Sequence, residues 1–232
     1  KSLQTLKDLG FKINAHWMPG LPLTNKERDI AGFKELFSNP SFRPDMLKIY
    51  PCMVSKGTLL YQDYLNKKFI PLSTEEAAEL IAELKKFVPE YCRIQRIQRD
   101  VPTKFWDAGV GITNLRQYIH AKFKPQCRCI RCREPQGRTV DWDAVKIIST
   151  EYDASNGREV FISAEDTKND IVLGFCRLRK PSQCLRSEIT SQSTIIRELH
   201  VYGSAVAIGN ESKEKVQHKG LGKALMYEAE KL

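Results

Sequence analysis

No apolar run in this chain approaches the ~18–20 residues needed to cross a bilayer, which excludes a membrane-spanning helix. The opening residues, Lys1 to Gly10, read as an amphipathic helix and not as a cleavable leader, so a cytoplasmic protein without a membrane partner is expected. Proline (11) and glycine (13) are too sparse for a fibrous or low-complexity chain, and no internal repeat is visible. The seven cysteines are odd in number and unevenly spaced, with three crowded between Cys127 and Cys132. That pattern suits thiols or a metal site in reducing surroundings better than a disulfide framework. Position 1 is not methionine, and only about three strands can be read in the first ~110 residues, so the chain is expected to begin inside a larger domain.

What is present is a globular composition: 41% hydrophobic and 28% charged residues over 232 positions, enough for one large or two ordinary domains. The net charge of +9 is concentrated. Of the 37 basic and 28 acidic residues, 13 and 4 lie between Lys85 and Thr139, and the remainder is balanced. Such a local surplus, carrying Arg93, Arg96, Arg99, Lys122, Lys124, Arg128, Arg131 and Arg133, is either a phosphate-backbone footprint or a solvated basic face. Aromatic residues in the same stretch (Phe87, Tyr91, Phe105, Trp106, Tyr118, Phe123) either stack on unpaired bases or belong to the core.

Hydrophobic periodicity and turn residues predict strands over residues 12–17, 46–50 and 92–98, separated by helices over 26–37 (capped by Asn25) and from a Ser73 capping box to about Phe87. This alternation is the cadence of parallel βαβ units. After Arg138 the cadence changes to a meander, with strands over 145–152, 160–164, 171–178 and about 193–208, turning at Asn156-Gly157 and Asn169-Asp170. A polar loop follows, and a helix begins near Gly220.

Two local patterns carry chemistry. In Gln217-His218-Lys219-Gly220-Leu221-Gly222-Lys223, two glycines open a helix after a strand. Exposed backbone N–H groups there suit a pyrophosphate, although a purely structural turn looks the same. In Cys127-Arg128-Cys129-Ile130-Arg131-Cys132, three thiols lie close enough to ligate one zinc, with His120, Cys92 or another residue as the fourth ligand. The interleaved arginines favour thiolates and would present positive charge to RNA.

These residues also carry a resemblance. Gln-x-x-Gly-x-Gly after the fourth strand of the meander is similar to the acetyl-CoA signature of GCN5-related N-acetyltransferases. With it stand His16-Trp17-Met18-Pro19-Gly20-Leu21-Pro22, Leu47-Lys48-Ile49-Tyr50-Pro51, Gln98-Arg99-Asp100-Val101-Pro102 and Arg197-Glu198-Leu199-His200-Val201-Tyr202-Gly203. In that order they resemble the family of Elongator catalytic subunits, over nearly the whole chain. The resemblance implies an α/β chain with the C-terminal part of a radical S-adenosylmethionine partial barrel (residues 1–112), a basic zinc-binding linker (113–139) and the N-terminal part of an acetyltransferase domain (140–232). It implies carboxymethyl modification of the tRNA wobble uridine, with acetyl-CoA as acyl donor and radical chemistry from S-adenosylmethionine at a 4Fe–4S cluster. The family's C-x3–9-C-x2-C cluster motif does not occur in these residues, so this chain alone is not expected to make the radical. Other Elongator subunits or a second copy of the chain are the protein partners implied.

Single residues follow from both readings. Val201 and the segment from Gln217 to Lys223 are the expected acetyl-CoA contacts. Glu198, His200 and Tyr202 alternate along the fourth strand of the meander and either line an acyl pocket or are satisfied polar groups of the core. Lys48 and, one strand earlier, His16 either contact a substrate or are ordinary strand-end residues. Two other functions stand as alternatives: a protein (histone) lysine acetyltransferase, against which the basic middle argues, and a non-catalytic tRNA-binding scaffold.

Overall fold

The structure, a computed structural model, describes residues 1–98, 102–203 and 220–232. The chain forms two compact units, one of residues 14–39 and 44–129, the other of residues 1–13, 40–43 and 130–232. They interleave along the sequence, whereas the expected segments divide it consecutively at 112 and 139.

The chain opens with α1 (Ser2–Asp8), which belongs to the second unit. The first unit then runs β1 (Asn14–Trp17), α2 (Lys26–Ser38), β2 (Met46–Ile49), α3 (Leu59–Leu65), α4 (Thr74–Leu84), β3 (Arg93–Ile97) and α5 (Leu115–Phe123). Its three strands are parallel in the order β1-β2-β3, as the βαβ cadence predicts. Asn25 caps α2 by accepting from the Arg28 N–H at 2.9 Å. Ser73 and Glu76 close the capping box of α4, each side chain accepting the other's backbone N–H, a device worth about 1 kcal/mol. Leu80, Ile81 and Leu84 on α4, Phe33 on α2 and Leu47, Ile49 and Ile94 on the strands form the core, all 2% exposed or less. The sequence reading missed α5, which is nine residues long and buries only Leu115 and Ile119.

The second unit is an antiparallel meander of β4 (Val145–Ala154), β5 (Gly157–Asp166), β6 (Ile171–Lys180) and β7 (Ile195–Val201), preceded by the short helix α6 (Ile130–Arg133) and followed by α7 (Leu221–Lys231). One sheet face packs on α7 through Val160, Ile162, Leu173 and Leu178 against Leu221, Leu225 and Ala229. The other buries charge. Glu159 accepts from Arg179 at 2.8 Å and from Arg197 at 2.5 Å, and Lys7 of α1 lies 3.5 Å away. Asp8 binds the same Arg179 at 2.6 Å, and none of these five side chains is more than 1% exposed. The network fastens α1 to the sheet.

The first hairpin turns on Ser155 and Asn156, both with positive φ, and Gly157 is the first residue of β5. Glycine is needed at 157 because a Cβ there would lie 2.5 Å from the Arg179 guanidinium. The next turn is held by Asp166, whose carboxylate accepts from the Lys168 and Asn169 N–H groups.

Candidate functional site

The parallel sheet has one apolar and one polar face. Alternation along the strands sends Leu47, Ile49, Ile94 and Ile97 into the core, whereas His16 and Arg96 are exposed and Lys48 is half-buried. The register pairs Lys48 with His16 on one side and with Arg96 on the other, which sets all three in one row. At the carboxyl ends of the strands the loops continue the ladder. Tyr50 N–H donates to Trp17 C=O (2.8 Å), Cys52 N–H to Pro19 C=O (2.9 Å) and Gln98 N–H to Ile49 C=O (2.8 Å). Ligands of α/β sheets bind at this end.

The loop after β1 walls a cavity of about 380 Å³ lined by Gly20, Leu23, Lys26, Asp29, Ile70 and Glu79 among others. Asp29 is buried and accepts from the Gly20 N–H (2.8 Å) and the Thr24 hydroxyl (3.3 Å). No sequence expectation fell on this cavity. Its one unusual feature, positive φ at the exposed Leu23, is a backbone property without a compositional signal.

The expected nucleic-acid residues fall in different settings. Arg93 and Arg96 stand on β3, and Lys124 is exposed in the left-handed conformation that ends α5. Lys122 pairs with Glu75 at 2.5 Å and Arg128 with Glu90 at 2.6 Å, both at the surface, where such pairs are weak enough to exchange for a phosphate. Arg131 pairs with Glu134 at 2.7 Å. Arg133 is 1% exposed, bound to Glu165 and to Asp170, so its charge is spent inside the fold. Counting charge along the chain could not distinguish it from its surface neighbours. Arg99 lies outside the described residues.

Cys127, Cys129 and Cys132 come together within their short stretch of chain, all Sγ atoms within 4.8 Å of one another. No cysteine is in a disulfide. A tetrahedral zinc with Zn–S of about 2.3 Å requires sulfurs about 3.8 Å apart, so the set fits zinc after a small contraction. His120 and Cys92 fall outside the group whose ligand atoms all lie within 4.8 Å, although the Cys129 charge acts on the His120 ring. His120 Nε2 lies 2.7 Å from the buried Lys85 Nζ, and burial followed by the Lys85 and Arg116 charges holds the imidazole below its ordinary pKa.

On β7 the three expected catalytic side chains divide. Glu198 receives Lys12 Nζ and Arg177 Nε, both at 2.9 Å, and Arg177 lies 5.2 Å from the ring centres of Phe161 and Phe175. Burial alone would raise the Glu198 carboxyl, but the Lys12 hydrogen bond and the Arg177 charge prevail and hold it below the ordinary value. His200 is exposed, with its ring 4.5 Å from that of Tyr202 and 5.7 Å from that of Phe175.

At the start of α7, Gly220 is the N-cap at φ +76, with no acid in the first turn and, among the described residues, no side-chain cap and no atom within 4 Å of a Cβ built there. Among the described residues a Cβ at Gly222 would touch only Val201, at 3.8 Å. Among the described residues the first-turn N–H groups of Leu221, Gly222 and Lys223 therefore meet no side-chain cap, as an anion site requires. Gln217, His218 and Lys219 lie outside the described residues.

Comparison with known proteins places this architecture. Residues 44–124, within the parallel-sheet unit, match the family described as the Radical_SAM C-terminal domain. The whole chain is 43% identical to a tRNA uridine(34) acetyltransferase of Methanocaldococcus infernus and 45% identical to Elongator complex protein 3 of Dictyostelium discoideum, covering 45% and 43% of them. A solved structure of the archaeal Methanocaldococcus infernus Elp3 with an N-terminal deletion superposes with a TM-score of 0.90 at 42% identity, over 99% of this chain and 56% of that one. The chain is similar to these proteins over its whole length, and it spans less than half the length of the curated relatives it matches.

Proposed function

We propose that the chain is part of a tRNA-modifying acyltransferase that takes its acyl group from acetyl-CoA and delivers it, through radical SAM chemistry, to the wobble uridine of tRNA. The observation that carries the acyl-donor half is the left-handed Gly220 at the head of α7 beside β7, with no side-chain cap among the described residues. There the N–H groups of Leu221, Gly222 and Lys223 would receive the pyrophosphate of acetyl-CoA, with Val201 beneath the glycine turn. His200 and Tyr202, at the end of β7, are the polar side chains nearest in sequence to the acyl route. The RNA half rests on the names of the relatives and on the surface cations Arg93, Arg96, Lys122, Lys124, Arg128 and Arg131.

Zinc on Cys127, Cys129 and Cys132 would fix the loop that carries Arg128 and Arg131. S-adenosylmethionine and a 4Fe–4S cluster would supply the hydrogen-abstracting radical. The proposed part of this stretch is to bind tRNA and donor, and its expected partners are tRNA, acetyl-CoA and other Elongator subunits or a second copy, in the cytoplasm.

Division of the chain at 112 and 139 into barrel, linker and acetyltransferase segments belongs to the same proposal. The protein lysine acetyltransferase alternative needs a general base, and Glu198, doubly ion-paired with a depressed pKa, is a poor one.

The test is calorimetry of the full-length protein with desulfo-CoA, alongside gel retention of tRNA and duplex DNA with and without a zinc chelator. Replacement Gly220→Val, which forces a β-branched residue into positive φ, should weaken desulfo-CoA at least tenfold and leave tRNA retention intact. Preferential retention of tRNA that collapses on chelation supports the zinc assignment. A variant that loses both ligands equally overturns the acyl-donor site, and absence of heat from the unaltered protein leaves a non-catalytic scaffold.

A further inference from the structure

We propose that Arg133 is a positioning residue of the thiol cluster: anchored on the β5–β6 hairpin, it fixes Cys132 where a metal needs it, so that filling the cluster and firmness of the hairpin are coupled. This deepens the zinc assignment above and rests on it. Helix α6 spans only Ile130–Arg133, far below the ~12 residues at which a helix begins to hold itself, so bonds from outside must fix it.

Two sets of bonds flank Cys132. On one side Arg131 pairs with Glu134 at 2.7 Å, and the Arg131 carbonyl accepts from Gln136 Nε2 at 2.8 Å. On the other side Arg133, 1% exposed, donates from Nε to Asp170 at 2.7 Å and from Nη2 to Glu165. The first set joins residues no more than 5 apart, whereas the second reaches 32 and 37 residues along the chain. Arg133 therefore ties the cysteine segment to a distant frame, and that frame is firm. Glu165 is buried on β5 and also accepts the Ser163 hydroxyl at 2.6 Å. Asp170 ends the turn that Asp166 holds through the Lys168 and Asn169 N–H groups, and Ile171 and Val172 after it are fully buried.

Stability alone does not account for this contact. A buried ion pair gains little net energy after desolvation, and apolar residues of like volume often serve a fold as well. Here Nη1 of Arg133 is also buried with no hydrogen-bond partner among the described residues, a costly state for a donor. What a guanidinium forked onto two carboxylates supplies is direction. A metal site requires direction: the three sulfurs lie within 4.8 Å of one another, and a tetrahedral zinc draws them to about 3.8 Å. Groups that lock a ligand in place govern how tightly the metal is held.

The experiment uses the full-length protein, stripped of metal and reloaded with zinc or with cobalt(II). Competition with a chromophoric chelator gives the zinc affinity, and the thiolate-to-cobalt and d–d absorption bands report the geometry of the site. Arg133→Met should weaken zinc binding about 10–100-fold and reduce the d–d intensity. Glu165→Gln, which alters the anchor and leaves the cysteine segment untouched, should act in the same direction to a smaller degree. Lys146→Gln, on an exposed position of β4, should change nothing. Positioning also has a signature that a purely structural role lacks. By linkage, the factor that Arg133 contributes to zinc affinity is the factor by which zinc strengthens the anchorage. Hydrogen exchange of peptides from β5 and β6 should thus slow when zinc binds the unaltered protein, and respond much less in Arg133→Met at saturating zinc.

Failure of the unaltered protein to hold zinc would sink this inference and the zinc assignment together. Equal affinity and identical cobalt bands in the unaltered protein, Arg133→Met and Glu165→Gln would refute the positioning role and leave the zinc assignment standing. Weaker zinc binding in Arg133→Met, with exchange in the hairpin responding to zinc as before, would reduce Arg133 to a residue of the fold. If Arg133→Met does not fold, the same measurements on Glu165→Gln decide the matter, and an unchanged affinity there refutes the role.

Discussion

Glu159→Gln is the sharpest test of how the second unit is held together. The carboxylate lies 2.8 Å from Arg179, 2.5 Å from Arg197 and 3.5 Å from Lys7, and no side chain in the group is more than 1% exposed. With Asp8 included the cluster holds three cations and two anions, so loss of the Glu159 charge leaves three cations against one. At an effective dielectric of about 20, a single contact near 2.8 Å is worth roughly 6 kcal/mol of Coulomb energy, much of it offset by desolvation. Removal of one partner from such a cluster costs about 3–5 kcal/mol, because the remaining charges stay buried without compensation. The amide keeps the shape and one acceptor, so the loss reports charge and not packing.

With a urea dependence of about 2 kcal/mol/M, the unfolding midpoint of this unit should fall by roughly 1.5–2.5 M. Hydrogen exchange of peptides from β5 and β6 is the appropriate readout, since it follows this unit separately from the parallel-sheet unit. α1, which supplies Lys7 and Asp8, should lose protection at the same denaturant concentration. A midpoint shift corresponding to less than 1 kcal/mol, or release of α1 with β5 and β6 unaffected, would refute the argument.

Gly157→Ala should destabilise the same unit by more than 2 kcal/mol, because the added Cβ meets an Arg179 guanidinium that the network prevents from moving; circular dichroism melting checks it. Glu198 has a depressed pKa in the folded state, so its pairing contributes fully above the unfolded value of about 4.3 and is lost as pH falls through the folded value. The stability difference between the unaltered protein and Glu198→Gln should thus be present at pH 7 and vanish in strong acid, and a difference independent of pH would count against the pairing. In native labelling with iodoacetamide, the exposed Cys184 should react first, and Cys127 and Cys132 should react only after chelation. Cys176, buried and pushed up to about 11, should stay unlabelled until the protein unfolds. Labelling of the clustered thiols at equal rates with and without chelator would argue against a metal.

Several elements could be read from local sequence because their causes are local. The capping box at Ser73 and Glu76 and the Asn25 cap needed only residues three apart, and the strands of the meander needed only alternation and turns. The Cys127–Cys132 cluster was legible for the same reason: three thiols within six residues cannot avoid one another. Helix α5 was not, since its flanks carry few signals and its two buried residues acquire meaning only against α4.

What tertiary structure decided was which charges are available. Arg133 and Arg131 are indistinguishable in the sequence, yet one is sealed against Glu165 and Asp170 and the other is only half-buried beside Glu134. Glu198 appears as an acid on a strand until Lys12 and Arg177 arrive from distant parts of the chain and hold its proton off. His16, Lys48 and Arg96 lie 32 and 48 residues apart, and only the register of the parallel sheet makes them neighbours. Composition and periodicity act over a few residues, so they determined the elements and the glycine and cysteine motifs. Pairing of charges depends on distance in space, and folding alone sets that.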